Sequence, residues 1–307
     1  MSLITKIEWT DATWNVAVGC SKVSPGCKYC YMMRDFEKRP QWEDVNGTVY
    51  RTAPATFNKP LEWQAKGIKA IDGRPLKVFT CSLTDLFHPQ IDEYREKVWD
   101  IIRACPDLIF QILTKRPERA DVCLPPDWGP NGYENVWMGV SVENQKMAEE
   151  RISLLHNIPA AVKFLSVEPL LEPIEFSVLR APLYTQKTYC PNCDKNVETW
   201  NSDCVECVEC NGVIDVISKK IDWVIIGGES GNDTGKWRYR SCQIDWLHNM
   251  LAECREWEVP VFVKQLGTHI AKSRGMSDRK GGDISEFPPE LQIREFPKIY
   301  DYANPPS

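Results

Sequence analysis

Seven short apolar runs, each closing on a cluster of polar residues, constrain the fold of this chain more than any other feature. In order they are TWNVAVG, KVFTCSLTD, LIFQILTKR, VWMGVSVEN, VKFLSVEPL, WVIIGGESG and VPVFVKQLG. Between them lie stretches such as IDEYREKVWDIIRAC, NQKMAEERISLLHNI and QIDWLHNMLAECREW, whose apolar residues recur at spacings of three and four, as on one face of a helix. Strand and helix in alternation predict parallel βα units, and seven of them predict an α/β fold, a partial or nearly complete TIM-like (β/α) barrel. The 307 residues, 43% of them hydrophobic, suffice for one large domain or for a domain carrying an insertion.

Three cysteines stand where the first run ends. Cys20, Cys27 and Cys30 lie in GCSKVSPGCKYCY. Zinc normally takes two C-x2-C pairs or a histidine partner, and of the four histidines none is nearer than His88. A 4Fe-4S cluster normally takes four thiolates, so one held by three keeps an iron open to a small ligand. The spacing favours such a cluster over a zinc knuckle that borrows a distant fourth ligand.

Barrels of this kind gather function at the carboxyl ends of their strands. Six successive runs end there in Thr84 and Asp85, Thr114 to Arg116, Ser141 to Asn144, Ser166 to Glu168, Gly228 to Ser230, and Lys264 with Gln265. Buried carboxylates and lysines need partners, so Asp85, Glu143, Glu168, Glu229 and Lys264 imply a polar ligand over the cysteines. His88 either touches that ligand or caps its own loop.

The set GCSKVSPGCKYCY, SLTDLFH, LTKRP, GVSVEN, LSVEPLL, GGESG, KQLG and KGGDISEFPPELQIREFP resembles the phage-type three-cysteine-motif family of the radical S-adenosylmethionine (SAM) superfamily, over most of residues 5 to 298. Cys27-Lys28-Tyr29-Cys30 resembles the C-x-aromatic-C half of the superfamily motif; the six residues between Cys20 and Cys27 depart from its usual three. The resemblance implies a 4Fe-4S cluster on Cys20, Cys27 and Cys30 and an enzyme that cleaves SAM reductively to a 5′-deoxyadenosyl radical. An electron donor such as a flavodoxin or ferredoxin would serve it. SAM, with its ammonium, carboxylate and ribose hydroxyls, suits the polar ring. Glu143 is expected on its ribose or ammonium, with Asp85 or Glu229 assisting, and Gly227, Gly228 and Gly231, which lack phosphate-loop spacing, are expected to let backbone approach the adenosine.

Residues 181–218 interrupt the βα rhythm, dividing the chain into 1–180, the insert, and 219–307. Cys190-x2-Cys193 and Cys207-x2-Cys210 have the pairing of a closed zinc site, which can fold a segment lacking its own core. Cys204 offers an alternative pairing with Cys207, and an auxiliary iron-sulfur cluster is the rival occupant. Cys81, Cys105, Cys123, Cys242 and Cys254 sit in apolar or helical contexts and are read as packing residues.

The start MSLITKIEW has no apolar signal core and no run of 18 apolar residues occurs, so a reducing cytoplasm and no membrane are expected. There, clustered cysteines bind metal more often than they form disulfides. A formal charge of -6 advertises no nucleic acid globally, yet Lys115, Arg116, Lys236, Arg238 and Arg240 offer a local basic patch, and twelve Trp and ten Tyr offer rings that stack on bases. A non-catalytic, zinc-containing module that binds nucleic acid or protein is the alternative function.

Overall fold

A computed structural model describes residues 5–37, 39, 44–176, 186–190, 195–199, 204–206, 213–215 and 221–297. Seven parallel strands follow one another in chain order: β1 (Ala12–Trp14), β2 (Leu76–Thr80), β3 (Leu108–Thr114), β4 (Val136–Ser141), β5 (Val162–Val167), β6 (Trp223–Gly227) and β7 (Val261–Gln265). The sheet is curled into a half-barrel flanked by helices, a partial TIM-like barrel. Among the helices are α1 (Tyr31–Phe36), α2 (Asp92–Arg103), α3 (Gln145–Asn157), α4 (Ile244–Glu256) and α5 (Thr268–Ser273).

Successive strand residues point to opposite faces, and here both faces are buried. Val78, Phe110, Ile112, Val140 and Leu165 pack in one core with Val98, Trp99 and Ile102 of α2 and Ile152 and Leu155 of α3. The alternate residues, Phe79, Ile109, Trp137, Phe164, Trp223 and Phe262, form a second core joined by Trp9. Its rings touch edge to face or tilted, with Trp9 and Phe79 4.6 Å apart and Trp223 5.8 Å from Phe164. Gly139 makes room for this layer, because a Cβ there would fall 2.5 Å from the Phe164 ring. The aromatic layer fills the inside of the sheet, with Phe79 and Trp9 also reaching the cavity described below.

The first apolar run is not one strand. Trp14 ends β1, and Ala17–Val18 then pairs antiparallel with Tyr50–Arg51 outside the main sheet. Asn15 forces the departure: its side-chain oxygen accepts from the Leu83 amide at 2.8 Å and its amide donates to Ser82 Oγ at 3.1 Å, which ties the turn after β2 across the end of β1.

Lys77 is buried two residues before Phe79, its ammonium 3.3 Å from the centre of the Phe296 ring. Burial, aided by the charge of Arg74, lowers its pKa to about 7. Between about 7 and 10.5 the unfolded chain therefore binds a proton that the folded chain lacks, so stability rises with pH through that window and carries the whole cost below it. Lys77→Met should stabilise the protein by on the order of 2–4 kcal/mol at about pH 6, the gain shrinking towards zero by about pH 10.5. Denaturant titrations across pH check this, and a pH-independent gain would refute it.

In the chain between β5 and β6, Gln186–Cys190 pairs antiparallel with Lys195–Thr199, and Cys204–Glu206 with Val213–Asp215. Cys190 ends the first of these strands and Cys204 begins the third. Cys193, Cys207 and Cys210 lie outside the described residues, and so does the zinc assignment that depends on them. Among the described residues no helix is long and apolar enough to cross a membrane.

Candidate functional site

The cysteine segment is fixed by backbone before any side chain acts. Gly19 takes φ +110, and a Cβ on it would meet the Thr48 carbonyl oxygen at 2.0 Å, so only glycine turns the chain into Cys20 there. Cys20 then donates its amide to Val45 and accepts from Gly47, both at 3.0 Å. Pro25–Cys27 forms a 3₁₀ turn, and Cys30 immediately precedes α1. Burial raises the pKa of Cys20 to about 11 against the opposing charge of Arg116, and burial raises Cys30 against the amides of Met33 and Met32. Without a metal both thiols therefore hold their protons, and a metal must displace them.

Three ion pairs from strand ends grip this segment. After β2, Asp85 is buried and accepts from Thr114 Oγ1 at 2.8 Å, the Lys115 amide at 3.0 Å and Arg116 Nη1 at 2.9 Å. Arg116 in turn reaches Cys20 Sγ at 3.6 Å and donates from Nη2 to the Ser21 carbonyl and hydroxyl, each at 2.9 Å. After β4, Glu143 is fully buried; its Oε1 accepts from Ser24 Oγ and, at 3.1 Å, from the Gly26 amide, while Oε2 accepts from Arg151 at 2.9 Å. A Cβ on Gly26 would lie 2.8 Å from that carboxylate, so the second glycine of the motif is needed for this approach. After β6, Glu229 accepts from the Arg240 amide at 2.8 Å and its Nε at 2.9 Å, and Arg240 Nη1 donates to the Pro25 carbonyl at 2.9 Å.

These contacts give Asp85, Glu143 and Glu229 partners within the protein, and Asp85 and Glu229 also line the cavity described below. Both oxygens of each are engaged within the protein, and the engagement holds the cysteine segment. The segment folds back over the carboxyl ends of β2, β4 and β6, where the buried carboxylates meet arginines.

A cavity of about 470 Å³ opens at the same ends, with Cys20, Cys27 and Cys30 on one side and Phe79 and Leu113 among its apolar lining. Among the described residues no three His, Cys, Asp or Glu side chains draw close enough for a single metal ion. Three thiols on one cavity are the kind of donor a four-iron cluster takes. Across the cavity, Lys264 Nζ donates to both oxygens of Glu168, at 2.7 and 2.8 Å. Each is about one-fifth exposed, and no hydrogen bond ties either to the cysteine segment. Of the five charged residues expected at a ligand, Asp85, Glu168, Glu229 and Lys264 line the cavity and Glu143 does not, and Glu168 and Lys264 are the two paired with each other. Gly228 lines the cavity too, but a Cβ there would lie 2.2 Å from the Leu266 carbonyl oxygen, so its first role is to let β6 and β7 close together.

His88 lies beside the cysteine segment: Nδ1 accepts from the Gln90 amide at 3.2 Å, which leaves Nε2 to donate to Ser21 Oγ at 3.0 Å. Cys105, Cys123, Cys242 and Cys254 are buried as packing residues; Cys81 is buried as well but borders the cavity, with φ +68. Arg151 was not singled out by sequence. Arg151 shares the buried face of α3 with Met147, Ala148, Ile152 and Leu155, and a charge within an apolar stripe is the signal that points to a buried partner. Arg240 is expected in a basic patch, and its place in a loop gives no sign that Glu229 is its partner.

A family model described as Protein of unknown function (DUF5131) matches residues 4–288. No curated protein and no solved structure matches the chain.

Proposed function

The chain belongs to the DUF5131 family of proteins of unknown function, and from its own site we propose that it is a radical SAM enzyme. One observation carries the reading: three thiols, Cys20, Cys27 and Cys30, border one cavity at the carboxyl ends of a half-barrel, on a segment held by three buried or half-buried ion pairs. When bound, a 4Fe-4S cluster on these thiolates would supply one electron to the sulfonium of SAM, giving methionine and a 5′-deoxyadenosyl radical that takes hydrogen from a substrate.

The chain's residues do the rest. Arg116 places positive charge 3.6 Å from Cys20 and favours its thiolate form. Glu143 and Arg240 hold the turn that carries Cys27. Lys264 and Glu168 offer an ammonium to the carboxylate of SAM and a carboxylate to its ammonium or ribose, once their mutual pair opens. The aromatic floor keeps water from below the reacting carbon. A reduced flavodoxin or ferredoxin is the expected electron source. The cysteine insert is read as holding a structural zinc through Cys190, Cys193, Cys207 and Cys210.

Incubating reconstituted protein with dithionite and SAM tests the reading. Equimolar methionine and 5′-deoxyadenosine are expected, and absence of both from a protein carrying its cluster would refute it. Glu168→Ala should weaken SAM binding about tenfold or more, the loss of one charged hydrogen bond of about 1.5–3 kcal/mol, while iron content stays at the wild-type level. Unchanged affinity in calorimetry would remove Glu168 from the ligand.

A further inference from the structure

Two half-buried rings stand at the rim of the cysteine segment, each with two cations beside it. Lys28 lies 5.2 Å and Arg240 5.3 Å from the Tyr29 ring centre; Lys236 lies 5.0 Å and Lys22 6.0 Å from that of Trp237. Tyr29 borders the cavity itself, and Trp237 packs on the small cluster of Val18, Met32, Met33 and Val45, which Cys20 and Cys30 also join. Lys22, Lys28, Lys236 and Arg238 are exposed. Glu37, the acid paired with Lys236 at 2.9 Å, is itself exposed, and such a pair is weak enough for a phosphate to displace.

We propose that this rim binds single-stranded nucleic acid and delivers one of its bases to the cavity. Flat faces alternating with exposed cations match the alternation of base and phosphate along a single strand. An acidic peptide would use the cations and leave the rings without a role. The cavity, about 470 Å³, admits a base and not a duplex, so the strand must be single or the base extruded. Arg116 and Arg240 are not phosphate contacts, since Asp85 and Glu229 engage them. As a statement about substrate this rests on the radical SAM reading; as a statement about binding it stands without it.

The test is fluorescence anisotropy of full-length protein with a labelled oligothymidylate of about twelve nucleotides, and with labelled polyglutamate, between about 50 and 200 mM salt. Binding of the oligonucleotide should fall steeply with salt. Trp237→Ala should weaken it about tenfold, the loss of one stacked base. Lys22→Gln with Lys236→Gln should reduce the slope of log K against log salt by about 0.7 for each lysine. The lysine pair lies on the surface, so it decides the matter if Trp237→Ala melts early by circular dichroism. Absent binding, binding that neither substitution changes, or equal affinity for polyglutamate would overturn the proposal. Binding with no SAM cleavage sinks the radical reading and leaves the surface; cleavage with no binding does the reverse.

Discussion

Alanine at Cys27 should leave protein reconstituted anaerobically with iron and sulfide without the broad visible absorbance of an iron-sulfur cluster, and with less than about one iron per chain where the wild type holds about four. Cys27 borders the same cavity as the other two thiols. Its removal leaves two ligands, too few to hold a cluster against free chelators. The fold should survive, since Glu143 and Arg240 hold the turn at Ser24, Pro25 and Gly26 and the thiol adds only a 3.7 Å contact with Ser24 Oγ. Full iron in Cys27→Ala would place the cluster elsewhere.

Glu143→Ala is expected to cost more stability than any cysteine substitution. It strands Arg151, whose side chain is 6% exposed, and breaking a buried pair by removing one partner costs about 3–5 kcal/mol. It also frees the Ser24 hydroxyl and the Gly26 amide, so iron incorporation should fall although no thiol has changed. Burial pushes the Glu143 carboxyl up, but the charges of Lys115 and Arg151 with the bonds from Ser24 and Gly26 outweigh it and hold the pKa below the ordinary 4.5. The stabilisation is therefore complete above about 4.5 and is lost as pH falls through the lowered value. Glu143→Gln, which keeps the shape, should lose less. A urea-measured loss under about 1 kcal/mol with full iron loading would refute the anchoring role.

The half-barrel was legible because parallel strands buried on both faces read as unbroken apolar runs: LIFQILT and WVIIG lie wholly within β3 and β6. The break after Trp14 was not, because it depends on Asn15 meeting Ser82 and Leu83 across 67 and 68 residues. The same limit governs the site. A single sequence shows that Asp85, Glu143, Glu168 and Glu229 each end a strand, and it is silent on which of them the cysteine segment covers. Folded back, that segment takes Asp85 and Glu229 through Arg116 and Arg240 and takes Glu143 directly through Ser24 and Gly26, and it leaves Glu168 with Lys264. Arg95 extends the pattern: it sits on the buried face of α2 beside Val98 and Trp99 and donates to the carbonyls of Leu86 and His88 at 3.0 Å, which steadies the loop that carries Asp85.

An open iron is the central claim, and the Mössbauer spectrum of full-length protein reconstituted with isotopically enriched iron, recorded with and without SAM, tests it most directly. Three thiolates on a four-iron cluster predict that one iron in four changes its signal when SAM is added, while the other three keep theirs. Four irons that stay alike, or wild-type protein that takes up no cluster, would contradict it.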